Sequence, residues 1–341
     1  MGDLLLGVDG GNTKTIAVVA YGDGTVVGTG TAGCADIYGA VSPEAAITEV
    51  VTASTAALAA AGAAASDVAA AAFSLAGADW PEDFELHRRE LTARIGLVSE
   101  TLVVNDAIGA IRSGTDDNVG VAAVCGTGGA VGARNRRGEV FHLGFWPDGT
   151  GAMTLGSDAV AAIWRAGIGL GPETSLTGRA LDRWGCSDPL DLLHAFTRRG
   201  GLPRSERGLF ADAVLDEAEG GDAVAREIVK RAGAHLGDHA HVCATRTGQL
   251  GAPFPLVLSG GVMRHRSILL REAILERLPD AEPIYPAVEP VAGAVLLAAD
   301  RVGARPDPAR LKAALTWAAD NGQRLGGISI LAAPEQHTEG Y

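Results

Sequence analysis

The first hundred residues alternate between short apolar runs and turns rich in glycine and polar residues. Apolar or β-branched runs at 4–8, 15–21 and 25–30 predict three strands. Ser42 followed by Pro43 predicts a helix start, because serine caps helices and proline suits their first position; the Ala-rich pattern continues that helix to about residue 61. A buried strand, a helix and a short strand complete this half, at 68–75, 81–95 and 102–104.

The same order of elements returns in the second half of the chain. Strands, a helical region and further strands and helices are predicted at 119–124, 130–134, 140–143, 152–244, 256–258, 268–278, 283–285 and 291–302. The repeat predicts an α/β protein with two mixed sheets, each with helices on its faces. The predicted domains are 1–113, 114–304 with a helical insertion at about 152–247, and a C-terminal helix with a flexible tail at 305–341.

Composition narrows the class of protein. Of the 341 residues, 47% are hydrophobic, which is ample for a packed interior, and the net charge of −13 argues against a nucleic-acid surface, which needs a basic patch. The chain start lacks the basic region of a signal peptide, and no apolar stretch is long enough to span a bilayer, so we expect a cytoplasmic protein with no membrane contact. Four scattered cysteines predict neither a zinc site nor a disulfide framework.

The strongest chemical signal is the turn between the first two predicted strands, Asp9-Gly10-Gly11-Asn12-Thr13-Lys14-Thr15. Gly10 and Gly11 allow close approach of the backbone to a ligand, and amide groups in such a turn can point at phosphate oxygens. Thr13, Lys14 and Thr15 add hydroxyl and ammonium donors, and Asp9 is placed to hold hydrated Mg²⁺. An ordinary hairpin turn is the alternative.

Two further glycine pairs follow predicted strands. Cys125-Gly126-Thr127-Gly128-Gly129 repeats the strand–turn–strand setting, so two such hairpins could clamp a triphosphate from both sides; two unrelated turns are the alternative. Gly260 and Gly261 stand between a strand and a helix, where free amide groups and flat packing would suit a nucleoside. A plain strand-to-helix connector is the alternative there.

Carboxylates mark the ends of other strands. Asp106 follows the strand at 102–104, at the mouth of the predicted sheet, where a carboxylate can take a proton from a hydroxyl. Asp106 or Asn105 could instead cap the next helix. Gly77 lies in a loop that is either a wall of the same cleft or a plain loop. Asp148, in a loop with Trp146, could bind a sugar hydroxyl or cap a helix.

In this order, the motifs resemble the sugar kinase–actin–heat-shock-70 ATPase superfamily. They are most similar to the family of N-acetylglucosamine kinases and benzoyl-CoA reductase-activating ATPases, over about residues 4 to 300. The motifs that carry the resemblance are Gly7–Thr15 (phosphate-1), Leu75–Asp79, Asn105-Asp106-Ala107, Gly126–Gly129 (phosphate-2), Ser259-Gly260-Gly261 (adenosine) and Pro290–Ala294.

The resemblance implies two ribonuclease-H-like domains around a central cleft and phosphoryl transfer from Mg-ATP. It assigns Asp106 as the general base, Asp9 as the metal-associated carboxylate, and a small-molecule sugar as acceptor. Phosphoryl transfer mainly requires positioning and charge neutralisation, which donors and one carboxylate supply. Dimers are common in the family, so a homodimer is a possible assembly.

Two loops depart from the family pattern. Asp36, in 33–39, stands where the family usually has an Asn, which could favour an acceptor with a hydroxyl or amine over an acetamido sugar. The loop at 144–151, with Trp146 and Asp148, is shorter than usual and lacks a Glu. Our main hypothesis is an ATP-dependent kinase of a hexosamine (N-acetylglucosamine, glucosamine or a related sugar). The alternatives are an activating ATPase of a partner reductase and a non-catalytic sugar or nucleotide sensor.

Overall fold

The computed structural model describes residues 3–144 and 149–316, together with the backbone of two short strands at 324–325 and 328–329. Its first sheet has five strands in the order β3-β2-β1-β4-β5. Their bounds are β1 Leu4–Gly10, β2 Thr15–Tyr21, β3 Val26–Ala32, β4 Val68–Leu75 and β5 Glu100–Asn105. Strand β2 pairs antiparallel with β1 and with β3, whereas β4 pairs in parallel with β1 and β5 in parallel with β4.

Three helices accompany this sheet, α1 Pro43–Ala61, α2 Pro81–Ile95 and α3 Asp106–Gly114. The Ser42 hydroxyl accepts the Ala45 amide, as the sequence pattern predicts, and Gly62 ends α1 in a left-handed conformation. Helix α1 packs on β3 so closely that a Cβ at Gly30 would lie 2.1 Å from the Ala53 carbonyl oxygen.

The second sheet repeats the first, in the order β10-β9-β6-β7-β8. Its strands are β6 Gly120–Cys125, β7 Gly129–Arg134, β8 Val140–Leu143, β9 Phe254–Ser259 and β10 Ala281–Ile284. Strand β7 pairs antiparallel with β6 and with β8, whereas β9 pairs in parallel with β6 and β10 in parallel with β9. The predicted fold class, an α/β protein with two mixed sheets of matching topology, is confirmed.

A helical segment separates β8 from β9. It consists of α4 Ala152–Gly167, α5 Leu176–Trp184, α6 Pro189–Thr197, a 3₁₀ helix at Arg204–Phe210, α7 Ala211–Glu219 and α8 Ala223–Arg246. Its interior is apolar and continuous with the core of the second sheet. The insertion is therefore a single packed body fixed to the second sheet.

Two helices connect the halves. Helix α3 packs on strands of both sheets, and α10 (Val291–Val302), which follows the second sheet, packs on β1, β4 and α3. Helix α9 is Leu269–Leu275, α11 is Pro308–Leu315, and the last two strands are β11 Arg324–Leu325 and β12 Ile328–Ser329. Helices α3 and α10 pack on elements of both halves, so the domain boundary between residues 113 and 114 stays a prediction from the sequence.

Element ends differ from the predictions in a few places. Strand β5 begins at Glu100 rather than 102, and α9 is shorter than the predicted 268–278. Gly260 and Gly261 lead into a 3₁₀ helix at Val262–Arg264, not directly into an α-helix. The flexible tail predicted at the end of the segment 305–341 lies outside the described residues. No helix in the described ranges combines the length and apolar character needed to cross a membrane.

The contact between β3 and α1 generates a stability prediction. Gly30→Ala should lower the free energy of unfolding by about 2 kcal/mol, because its Cβ meets the helix backbone, which cannot move without loss of packing. Gly178→Ala in the exposed part of α5 meets nothing within 4 Å and should leave stability unchanged or raise it slightly. Urea unfolding of both variants tests this; equal effects would contradict it.

Candidate active site

A cavity of about 670 Å³ lies between the two sheets and is lined by residues from both halves. Most of the predicted site residues line it, namely Asp9, Gly10, Gly11, Asn12, Thr13, Lys14, Asp36, Gly77, Asn105, Asp106, Gly126, Thr127, Gly128, Gly129, Gly260 and Gly261. Trp146 and Asp148 lie outside the described residues. The structure therefore brings together motifs that are up to 252 residues apart in sequence.

The first glycine turn is held by its neighbours. The Gly11 amide donates to the Lys14 carbonyl at 2.9 Å, which closes the turn. The Ala35 amide donates to Gly11 O at 2.9 Å and the Ala76 amide to Gly10 O at 2.8 Å. These bonds place the loops at 33–39 and 76–79 beside the turn, on the same side of the cavity.

Thr15 differs from the prediction. It does not line the cavity; it is fully buried, and its hydroxyl donates to the Gly33 carbonyl at 2.8 Å. Strand β2 begins at this residue, so the side chain serves the loop at 33–39 instead of pointing a donor at the cavity.

The second turn is fixed by the start of α4. The amides of Ala152 and Met153 donate to Gly126 O at 2.9 Å and to Thr127 O at 3.0 Å. Gly260, at φ +98°, packs against the same turn: a Cβ there would lie 2.4 Å from the Cys125 carbonyl oxygen. Only glycine fits both the conformation and the space, so the second and third glycine motifs form one wall.

The two phosphate-type turns meet across the cavity. The hydroxyls of Thr13 and Thr127 are 2.6 Å apart, although they lie 114 residues apart in sequence. Lys14 lies on the same side, with Nζ 3.9 Å from the buried carboxylate of Glu289. Backbone amides, two hydroxyls and an ammonium therefore surround one region, which is the donor set that a polyphosphate requires.

The sequence left open whether Asn105 or Asp106 caps α3 and whether Asp106 is free to accept a proton. The Asn105 side chain caps α3 by accepting the Ala107 amide at 3.1 Å, and its Nδ2 donates to Asp79 Oδ1 at 3.0 Å. Asp106 is not the cap. Its buried Oδ1 makes no hydrogen bond with any described residue, so this carboxylate lines the cavity with capacity to accept a proton or a hydrogen bond.

Burial in the cavity perturbs three carboxylic acids. Desolvation raises the pKa of Asp106 to about 6, with the Asp36 charge contributing. Desolvation raises the pKa of Asp79 to about 7, and the charges of Asp106, Asp36 and Asp83 add to the shift. The pKa of Asp9 also rises to about 7, through desolvation and then repulsion by Asp106. Raised or lowered pKa values of this kind are common at functional sites.

The loop at 33–39 is rigid around Asp36. Asp36 Oδ1 accepts the Tyr38 amide at 2.9 Å, and the Tyr38 hydroxyl donates to Asp83 at 3.0 Å. Gly77, at φ +74°, passes directly over this carboxylate, since a Cβ there would lie 2.4 Å from Asp36 Oδ1. The position of Asp36 is thus set by three separate segments.

Several cavity residues were not assigned a role from the sequence. They are Asp79, Gly144, Arg183, Leu209, Asp212, Arg264 and Glu289. Asp79 is the last residue of the motif Leu75–Asp79, and Glu289 directly precedes the motif Pro290–Ala294, so these motifs were the available signal. Arg183, Leu209 and Asp212 lie in the helical insertion, where no motif pointed to a ligand.

The donor set suits magnesium bound together with a polyphosphate. No group of three or more His, Cys, Asp or Glu side chains in the described ranges could hold a metal ion alone. Magnesium, however, usually takes one or two carboxylates, with phosphate oxygens and water completing its shell. Asp9, whose ionised form is disfavoured by burial and by its acidic neighbours, fits as that carboxylate because a cation would relieve the repulsion.

Comparison with known proteins identifies the family. The model of the BadF/BadG/BcrA/BcrD ATPase family matches residues 6–298, and the chain belongs to this family. The predicted relationship to N-acetylglucosamine kinases and activating ATPases is thereby confirmed.

Named relatives and solved structures agree with this assignment. N-acetyl-D-glucosamine kinase of Dictyostelium discoideum is 27% identical over 311 residues, covering 87% of this chain and 98% of its own. A structure from Chromobacterium violaceum, provisionally named an N-acetylglucosamine kinase, superposes with TM-score 0.65 at 22% identity, covering 87% and 99%. A ROK family glucokinase from Streptomyces griseus, solved with glucose and AMPPNP, superposes with TM-score 0.54 at 18% identity, covering 87% and 99%.

The raised pKa of Asp9 predicts a pH-dependent gain in stability. The pKa of Asp9 is about 7 in the folded protein and 3.8 as the ordinary value. The free energy of unfolding therefore falls as pH rises through this interval, because the folded protein must ionise a carboxylate that burial disfavours. Asp9→Asn should therefore raise the free energy of unfolding at pH 8, by at most about 4 kcal/mol, and the gain should vanish near pH 4. Chemical unfolding at several pH values measures it.

Asp23→Asn is a control that should change the free energy of unfolding in the opposite direction. The exposed Asp23 carboxylate accepts the Thr25 amide at 2.9 Å and pairs with Arg310, and these contacts lower its pKa. Its removal should lower stability above pH 4. A loss of stability in Asp9→Asn at pH 8 would contradict the interpretation of the acidic cavity.

Proposed function

We propose that this protein is an ATP-dependent sugar kinase, which transfers the γ-phosphoryl group to a hydroxyl of a hexosamine. Membership of an ATPase family and two relatives named as kinases of amino sugars support this proposal. The relative from Clostridium acetobutylicum is named an N-acetylmuramic acid/N-acetylglucosamine kinase and is 24% identical over 275 residues. The acceptor and the role of each residue are part of the proposal.

The observation that carries the proposal is the buried Asp106 carboxylate, which lines the cavity with an unpaired oxygen. Its Oδ1 has no partner among the described residues, while Asn105 performs the capping that would otherwise engage it. A carboxylate with a pKa of about 6 is largely ionised at neutral pH and still basic enough to accept a hydroxyl proton in the transition state. Asp106 is therefore our candidate general base.

The turns supply the phosphate contacts. Amides of the two turns other than those of Gly11 and Gly126, which close the turns themselves, would bind the β- and γ-phosphates. The Thr13 and Thr127 hydroxyls and the Lys14 ammonium would add donors and neutralise charge. Asp9 would hold Mg²⁺, which supplies further charge neutralisation on the phosphate oxygens when bound with ATP. These groups fix the transferring phosphoryl group; Asp106 takes the proton from the attacking oxygen.

The acceptor would lie at the end of the cavity built by the first sheet. Asp36, Asp79, Asn105 and Asp106 offer acceptors and one amide for sugar hydroxyls. Asp36 brings a carboxylate where the resemblance implies an amide. A carboxylate pairs favourably with a hydroxyl or an ammonium group, whereas an amide can also donate to an acetamido carbonyl.

An ADP-release assay with Mg-ATP across glucosamine, N-acetylglucosamine, glucose and muramic-type sugars tests the function. We expect release that depends on at least one hexosamine. Release without any sugar dependence would favour the activating-ATPase alternative. Saturable nucleotide binding with no release under any condition would favour a sensor.

Asp106→Asn tests the proposed base with the most active sugar of that panel. Loss of the base should lower kcat by about 10²–10⁴-fold, and the affinity for ADP should change little because Asp106 lies at the acceptor end. Initial rates and ADP titration measure the two effects. Retention of more than about a tenth of the wild-type rate, well short of what a general base supplies, would remove Asp106 from this role.

Asp36→Asn tests acceptor choice. The change restores the amide, so we expect the ratio of kcat/KM for N-acetylglucosamine over glucosamine to rise about tenfold, the scale of one hydrogen bond to a charged group. Asn can still accept the Tyr38 amide through its carbonyl oxygen, which preserves the loop. An unchanged ratio with unchanged thermal stability would show that Asp36 does not select the acceptor.

A further inference from the structure

The first turn of α2 carries a buried carboxylate, Asp83, whose side chain the mechanism does not use. Its Oδ2 accepts the Trp80 amide at 2.8 Å and the Asp79 amide at 3.2 Å. Its Oδ1 accepts the Tyr38 hydroxyl at 3.0 Å. A buried carboxylate is tolerated when donors replace its water, and these donors come from two different loops, at 33–39 and 76–80.

The same two loops bring carboxylates to the cavity. The Tyr38 amide donates to Asp36 Oδ1 at 2.9 Å, so Tyr38 contacts Asp36 with its backbone and Asp83 with its side chain. Asp79 contacts Asp83 through its own amide. Asp36 and Asp79 line the cavity, whereas Tyr38 and Asp83 do not. Asp83 is therefore an attachment point shared by two loops, each of which presents one carboxylate to the cavity.

The side chain of Asp79 has little room to move. Its Oδ1 accepts Asn105 Nδ2 at 3.0 Å, and a Cβ at Gly144, which comes from the second half, would lie 2.2 Å from the same oxygen. Asn105 caps the helix whose first residue is Asp106. A displacement of the loop that carries Asp79 would therefore change the surroundings of the proposed base as well as those of the acceptor.

The hydroxyl of Tyr38, more than its ring, fastens the loop at 33–39 to α2. The residue is 47% exposed, so the packing of its ring is incomplete. Desolvation and the hydrogen bond to Asp83 raise the pKa of Tyr38 to about 12, so the hydroxyl keeps its proton and remains a donor at neutral pH. Hydrogen bonds to a charged acceptor are also stronger than those between neutral groups.

We propose that Tyr38 and Asp83 are positioning residues for the acceptor, which hold Asp36 and Asp79 in the arrangement that a sugar requires. Polar groups of a binding site must be held to within about 0.5 Å by the contacts behind them. The pair acts through Asp36 and Asp79 and touches no substrate itself. The inference rests on the proposed function and adds that acceptor affinity depends on a hydrogen bond outside the cavity.

Tyr38→Phe tests the pair, because it removes the hydroxyl and keeps the ring. With the most active sugar of the panel, the dissociation constant and the KM of the sugar should each rise about tenfold, the scale of one lost hydrogen bond to a charged group. The dissociation constant of ADP should not change, since Asp83 contacts neither glycine turn. Equilibrium titrations and initial rates measure these effects. Tyr285→Phe is the matched control, since this tyrosine is 49% exposed and does not line the cavity.

Asp83→Asn and the double variant show whether the two residues act through their hydrogen bond. Asp83→Asn should weaken sugar binding at least as much as Tyr38→Phe, because it also weakens the contact to the Asp79 amide. If one contact links the residues, the double variant should bind sugar no more weakly than Asp83→Asn alone.

Asp222→Asn is the control for general destabilisation. The Asp222 carboxylate also caps a helix and accepts the amide of a distant loop, that of Ser175 at 2.8 Å, but it does not line the cavity. Asp222→Asn should lower the midpoint of thermal unfolding and leave sugar binding unchanged.

The outcomes separate this inference from the proposed function. A wild-type protein that neither binds nor phosphorylates any sugar would overturn both. Wild-type sugar affinity in Tyr38→Phe, or equal losses for sugar and ADP, would overturn the inference alone, and so would additive losses in the double variant. If Asp83→Asn does not fold, Tyr38→Phe alone decides the question.

Discussion

The crossing of α3 and α10 is the contact on which the arrangement of the cavity depends. A Cβ at Gly293 would lie 2.2 Å from the Gly109 carbonyl oxygen, so the two helices touch through their backbones. Helix α3 begins with Asp106, and α10 directly follows Glu289 and Pro290, all of which line the cavity. The crossing therefore fixes two helix starts at one opening between the sheets, and any side chain at the crossing would push them apart.

The cavity concentrates negative charge that the fold must tolerate. Asp9, Asp79 and Asp106 all have raised pKa values because burial removes water from carboxylates that also repel one another. Glu289, also buried, is partly compensated by Lys14 and Arg264. Such groups cost stability in the isolated protein, and a bound cation or proton donor would recover part of that cost. The extensive apolar cores of both halves offset this loss of stability.

Local signals made most of the fold predictable. Strand–turn–strand patterns and the Ser42-Pro43 start depend on neighbouring residues, and the structure reproduces them. Thr15 was misjudged because the side-chain direction at the start of a strand depends on the partner at Gly33, which sequence does not reveal. Arg183 and Asp212 were missed for the same kind of reason, since only the packing of α5 on α7 brings them to the cavity.

The cavity is built so that its two ends can change independently. Asp36, Asp79 and Asp106 come from loops of the first sheet, whereas Gly260 and the insertion belong to the second. The halves share the region of the two glycine turns, where Thr13 and Thr127 meet and where we propose that the phosphates bind. On the proposed function, a substitution at position 36 would therefore alter acceptor choice without disturbing the nucleotide contacts. The relative position of the two sheets, in contrast, affects both turns at once, so phosphate geometry is the property that depends on the whole fold.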